Sequence, residues 1–241
     1  LFRSIVKATD FDGDVVSGNA KALQITVDDD TPIAKGEGSV KASVDEDGGN
    51  NAEPAVPDGL SGSNPGGTGD DSASGLTATG SVAAMFSIGA DDASHTNRYT
   101  LDDTNLASLT AQGLKSGGVG LSYSVSGNTL TAKAGTSDVF SLEITDTATG
   151  AYTFTLKDAL DHAAGSDENE LTIDLGAIVK ATDFDGDVVR GNAKALQITV
   201  DDDTPIAKGE DRSSVALLTV DGKLQASGTF SYSIEIGRAH V

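Results

Sequence analysis

The sequence predicts an all-β protein built of antiparallel β-sandwich repeats in tandem, and three observations carry that prediction. Residues 5–37, IVKATDFDGDVVSGNAKALQITVDDDTPIAKGE, return as residues 178–210 with a single change, Ser17 to Arg190. Short stretches of alternating apolar and polar residues recur along the chain, separated by Gly, Asn and Asp turns, with no sustained helical period. The apolar residues available for a core are mostly Val, Ile, Leu, Ala and Phe, with no Trp and one Met.

A repeat of this identity, with a period of 173 residues, marks one structural unit copied in series. On that reading residues 1–34 end one repeat, 35–207 form a complete one, and 208–241 begin a third unit. Residues 19–27, NAKALQITV, alternate with a period near two and predict a strand. It stops at Asp28, Asp29 and Asp30 and at Thr31-Pro32, because proline cannot donate to a ladder and holds the residue before it extended. Thr204-Pro205 copies that junction.

In the complete repeat, residues 39–44 predict an opening strand that runs into Asp45, Glu46 and Asp47. Residues 48–75 are rich in Gly, Asn, Ser, Asp and Pro and are expected to form a flexible excursion with little to bury. Within it, Gly66-Gly67-Thr68-Gly69-Asp70-Asp71 matches the first six positions of the calcium-binding nonapeptide of parallel β-rolls, but Ala73 stands where a large apolar residue belongs. Further strands are predicted over 76–79, 82–88, 98–101, 120–125, 129–134, 139–145, 151–156, 170–173 and 193–200. Gly127-Asn128 between two alternating stretches marks a hairpin. Residues 104–109 and 158–164 are the two places where a turn or two of helix is expected.

The formal net charge is −21, from 37 acidic against 16 basic residues. Nucleic acid and anionic membrane would repel such a chain and are excluded as partners. No apolar run is long enough to span a membrane, so no insertion is expected. Cysteine is absent, so no disulfide or thiolate site exists; in a cytosolic protein this means little, whereas in a secreted array it would point to metal ions in place of disulfides as the staples. Residues 235–241, EIGRAHV, match the in-frame translation of a common sequencing adapter, and residues 236–241 are expected not to be natural.

The acidic clusters carry the chemistry. Two carboxylates ~5 Å apart repel by about 0.8 kcal/mol in water and about 3 kcal/mol at an effective dielectric of 20. Several held together in a fold therefore call for a cation. Asp183, Asp185 and Asp187, with the copies Asp10, Asp12 and Asp14, stand at i, i+2 and i+4 around a glycine that permits a tight turn. That spacing gathers oxygen ligands for calcium, which takes six to eight of them. The pattern is not an EF-hand, because position twelve would be Lys194. Asp201, Asp202 and Asp203 end the following strand, with Asp201 and Asp203 on one face and Asp202 on the other. Asp45, Glu46 and Asp47, at the start of a repeat, are the natural complement from the next domain, and with Asp28, Asp29 and Asp30 upstream they are expected to clamp an ion in the junction around Pro32. Solvated acidic turns are the competing reading.

Catalysis has little support. His95, His162 and His240 have no companions at metal or catalytic spacing, and Asp161-His162 reads as a turn or core hydrogen bond. No Gly-x-Ser-x-Gly elbow occurs.

In order along residues 35–207 stand Val44-Asp45-Glu46-Asp47, Gly89-Ala90-Asp91, Thr149-Gly150-Ala151-Tyr152 leading into Thr153-Phe154-Thr155-Leu156, Leu160-Asp161-His162, Thr182-Asp183-Phe184-Asp185-Gly186-Asp187 and Val200-Asp201-Asp202-Asp203-Thr204-Pro205. Together they resemble the repeated extracellular domains of giant type I-secreted bacterial surface proteins, the RTX and VCBS-type adhesins. The resemblance implies Ig-like or cadherin-like β-sandwiches strung in tandem, stiffened by Ca2+, that carry an adhesive tip away from the cell. The expected partners are neighbouring repeats of the same chain and, through other domains, host-surface or matrix glycans or proteins. The alternative is a module whose own loops bind a glycan or protein. The stretch after Glu210 does not repeat residues 38–61, so a unit of another type is expected there.

Overall fold

The structure, a computed structural model, describes residues 6–19, 23–48, 60, 75–90, 92, 96–165 and 169–203, together with the backbone of two strands at 218–220 and 223–225. The nonapeptide-like segment at 66–71, most of the predicted excursion and the adapter-like tail lie outside these residues. The chain divides into two compact units, Leu1–Asp30 and Thr31–Val241.

The first unit contains one antiparallel hairpin, β1 (Lys7–Thr9) with β2 (Val15–Ser17), paired Lys7↔Ser17, Ala8↔Val16 and Thr9↔Val15. The strand expected over 19–27 does not form among its described residues. Leu23, Ile25 and Val27 are 66%, 79% and 87% exposed, and none of them pairs with a strand among the described residues.

The second unit opens with β3 (Ile33–Ala34) and β4 (Val40–Asp45). Its described strands continue with β5 (Thr77–Ser81), β6 (Phe86–Ser87), β7 (Tyr99–Leu101), β8 (Lys115–Ser116), β9 (Val119–Ser126), β10 (Thr129–Ala134), β11 (Ser137–Asp146) and β12 (Ala151–Leu156). Then come β13 (Leu171–Asp174), β14 (Val179–Thr182), β15 (Val188–Arg190) and β16 (Leu196–Asp201), with β17 (Leu218–Val220) and β18 (Lys223–Gln225) paired to each other further on.

One sheet runs β5-β12-β11-β10-β9-β8, all antiparallel. Its inner face is set by alternation. In β12, Tyr152, Phe154 and Leu156 are buried while Ala151, Thr153 and Thr155 are not. Register then brings Phe154 opposite Leu142 and Ala78, Phe140 opposite Ala132 and Leu156, and Leu130 opposite Leu142. Phe140 and Phe154 pack at a centroid distance of 5.3 Å. Across the core lie two three-stranded sheets, β13-β16-β4 and β15-β14-β7, which contribute Ile173, Ile198, Val200, Val44, Val179, Ala181 and Leu101. The fold is all-β and sandwich-like. Fully burying each large apolar side chain contributes about 1.5–3 kcal/mol.

One pair departs from the antiparallel pattern: β4 lies parallel to β16, in unbroken register from Leu196↔Val40 to Asp201↔Asp45. Two further elements differ from expectation. Residues 82–88 are not one strand, since Val82–Met85 forms a 3-10 turn before β6. Ser81 caps it by accepting from the Ala83 amide at 3.2 Å, and the buried residues Val82 and Met85 are three apart, the period of that helix. Residues 104–109 hold the expected helical turns, a 3-10 turn at Asp103–Asn105 and α1 at Ala107–Thr110. Residues 158–164 form none.

Candidate metal centre

The parallel pairing of β4 with β16 decides where the acids go. Parallel strands end at the same edge, so Asp45-Glu46-Asp47 and Asp201-Asp202-Asp203 emerge side by side from adjacent strand ends. The ladder carries on one step past Asp45, where the Glu46 amide donates to the Asp201 carbonyl at 3.2 Å. Asp45, Glu46, Asp47, Asp201 and Asp203 are all buried, and Asp202 is half-buried. Such burial is rare for carboxylates and costs several kcal/mol each without compensation.

Compensation from the protein is partial. Asp45 Oδ1 accepts from the Asp47 amide at 3.0 Å, and Glu46 Oε1 from the Leu160 amide at 2.8 Å. Among the described residues, Asp45 Oδ2 and Glu46 Oε2 are buried with no donor. Burial, the neighbouring Asp47 side chain and the charge of Asp201 push the Asp45 carboxyl up to about 9. Left to itself, the cluster cannot hold all its charges.

His162 lies against Glu46, with Nε2 3.3 Å from Glu46 Oε1 and Nδ1 2.6 Å from the Asn169 carbonyl oxygen. Burial lifts the Glu46 carboxyl above its ordinary value. Burial pulls the imidazole down, but hydrogen bonding to Glu46, with the charges of Glu46 and Asp202, holds it above its ordinary value. The expectation that His162 makes a core hydrogen bond is met, but not through its neighbour. Asp161 turns away, its Oδ2 accepting from the Gly118 amide at 2.8 Å.

The Asp-Gly turns are built alike in both copies. The Asp10 amide donates to the Asp14 carbonyl at 3.0 Å, and Asp10 Oδ1 accepts from the Asp14 amide at 2.8 Å. In the second copy the Asp183 amide donates to the Asp187 carbonyl at 3.1 Å, and Asp183 Oδ1 accepts from the amides of Gly186 and Asp187 at 3.0 and 2.7 Å. Gly13 and Gly186 take φ of +98° and +111°, which a side chain would strain. Asp10, Asp12 and Asp14 offer oxygens within 4.8 Å of one another, all exposed. Asp183 is buried, Asp185 is exposed and Asp187 is half-buried. Burial works against the Asp183 carboxylate, yet the Asp187 amide, the Asp185 side chain and the Gly186 amide hold its pKa below the usual range. The same aspartates are thus turn-formers first, a role that spacing alone did not distinguish from ligation. Asp28, Asp29 and Asp30 are exposed in the first unit.

The two parallel strands of the sandwich thus bring six acids to a single edge, and His162, from the segment after β12, lies against one of them. The model of the domain of unknown function DUF5801 matches residues 41–195, more than half of the sequence, and the chain belongs to that family. The match takes in Asp45, Glu46, Asp47 and His162 and stops short of Asp201. No curated protein and no solved structure matches. Among the described residues no helix is long and apolar enough to cross a membrane.

Proposed function

We propose that this chain is a stretch of non-catalytic, calcium-stabilised extender repeats from a secreted bacterial surface adhesin of the RTX/VCBS type, serving cell adhesion and biofilm formation. The observation that carries the reading is the buried edge where Asp45 stands opposite Asp201, with buried Asp47 and Asp203 just beyond the two strand ends. Calcium is a hard cation satisfied by carboxylate and carbonyl oxygens. It would take up Asp45 Oδ2, which has no donor among the described residues, and would bring the Asp45 carboxyl back from about 9 to the ionised form. Bound there, the ion ties the first strand of the repeat to its last and so stiffens the unit end to end. The near-identical copies at a period of 173 residues favour a spacer over a recognition surface, since an array of copies multiplies length.

Calorimetric titration of the full chain with calcium tests the reading. A saturable site is expected, strongly weakened by Asp201→Asn, and the absence of calcium uptake would remove it. Sequencing the gene on both sides of this stretch tests the adhesin assignment. Further repeats and a type I secretion signal are expected, and a gene without either contradicts it.

A further inference from the structure

The edge formed by β4 and β16 has two faces, and they differ in chemistry. The register pairs Asp45 with Asp201 where the two strands end, and the residues that follow them, Glu46 and Asp202, come together with His162. The electrostatic neighbours divide in the same way. Asp45 is influenced by Asp47 and Asp201, whereas Glu46 is influenced by His162 and Asp202.

We propose that Glu46, His162 and Asp202 form a second metal site, separate from the all-carboxylate one, that takes a transition metal ion of the zinc class. Ligand atoms of the three residues lie within 4.8 Å of one another. The separation of Glu46 Oε1 and His162 Nε2, 3.3 Å, matches the edge of a tetrahedron with metal–ligand bonds of about 2.0–2.1 Å, which is about 3.3–3.4 Å. The imidazole is already oriented. The Asn169 oxygen facing Nδ1 is a carbonyl and can only accept, so Nδ1 carries the proton and Nε2 faces Glu46. A backbone carbonyl on the far nitrogen is how proteins fix a ligating histidine. Glu46 Oε1 is held by the Leu160 amide, while Oε2 is buried with no donor among the described residues, on a residue only 1% exposed. That oxygen is a second observation, beside the Oε1–Nε2 separation, that points to a ligand at Glu46. Half-buried Asp202 gives the ion a route from solvent. A nitrogen donor disfavours calcium, which takes oxygen, and suits zinc, for which imidazole and carboxylate are common ligands. Three protein ligands leave the fourth position to water.

The test uses the full chain with His95→Asn and His240→Asn, so that the reporting ring is His162 alone, and with calcium in millimolar excess to occupy the oxygen sites. Zinc is titrated while the ring nitrogens are followed by 15N NMR and the heat by calorimetry. The expected result is one zinc site and a large shift of the His162 Nε2 resonance. Asp202→Asn should weaken binding at least as much as the loss of an outer-shell partner does, roughly 10- to 100-fold, and His162→Gln should abolish it. His162 ring signals unmoved at saturating zinc, or an Asp202→Asn chain that binds as tightly as its parent, overturns the proposal. The ring readout needs no change at the site, so a His162→Gln chain that fails to fold leaves the test intact. The site does not rest on the calcium reading: a calcium-insensitive chain whose His162 ring responds to zinc refutes only the calcium site, and the reverse result refutes only this one.

Discussion

Residues 6–30 and 179–203 are the same sequence apart from Ser17 and Arg190, placed in two environments. The hairpin forms in both, in the same register, around the same Asp-Gly turn. The segment after it does not behave alike. Leu196, Ile198 and Val200 are fully buried in β16, between β13 and β4, while their copies Leu23, Ile25 and Val27 are largely exposed and lie in no strand. The hairpin is therefore encoded locally, by an Asx-type turn and a glycine with positive φ. The following strand is encoded by its neighbours, since alternation specifies a face but not a partner to bury it. The candidate metal centre inherits this dependence. Asp201 is buried opposite Asp45 only because β16 is in place, whereas its copy Asp28 is exposed.

Paired substitutions at equivalent positions break or sharpen this contrast. The largest difference is expected for Leu196→Ala against Leu23→Ala. The first leaves a cavity between two sheets and should cost about 2–5 kcal/mol, while the second should stay within about 0.5 kcal/mol. Urea unfolding of the full chain reads both, and equal costs would mean that the two copies are packed alike. Next comes Asp183→Ala, which removes a buried carboxylate and strips the Gly186 and Asp187 amides of their acceptor. It should cost about 1–3 kcal/mol, more than Asp10→Ala at the exposed copy.

The smallest effect comes from the one natural difference between the copies. Arg190 donates through Nε to buried Asp102 and through Nη2 to Thr104 Oγ1 at 2.9 Å. Its own side chain is 56% exposed, so Arg190→Ser should cost only about 1 kcal/mol. The pH dependence has a definite sign. Burial works against the Asp102 carboxylate, but Thr104 and Arg190 hold its pKa below the ordinary value. A depressed folded pKa gives stability that is present above the unfolded value, about 3.9, and is lost as pH falls through the folded one. Acid unfolding of Arg190→Ser should therefore begin at a higher pH than that of the parent. Coincident acid limbs would show that Thr104 alone holds Asp102 ionised.

The meander β9–β12 was legible because its strands alternate cleanly and are separated by turns that need glycine, such as Gly127 at φ +58°. The strand expected over 19–27 was a correct reading of pattern and a wrong reading of context, as its second copy shows. The hairpin β14–β15 was hidden because its turn was read for ligands alone. At the candidate site, the acid triplets and the split of Asp202 from Asp201 and Asp203 could be read from the sequence. The pairing of Asp45 with Asp201 of the same repeat could not, because it depends on β4 running parallel to β16 rather than on the junction with Asp28 to Asp30. The imidazole could not, because His162 and Glu46 are 116 positions apart and meet only through the fold.

The central claim is that a cation completes the edge where β4 meets β16. If that site binds at about 0.1 mM and calcium stands near 10 mM, linkage supplies ~2.7 kcal/mol. For a unit of this size that is roughly 5–10 °C in melting midpoint, at about 2–4 °C per kcal/mol. Thermal unfolding of the full chain in calcium and in chelator measures it, with an Asp45→Asn, Asp201→Asn double variant alongside. The account predicts a higher midpoint in calcium for the parent and little or no difference for the variant. Equal midpoints for the parent in calcium and in chelator would contradict it.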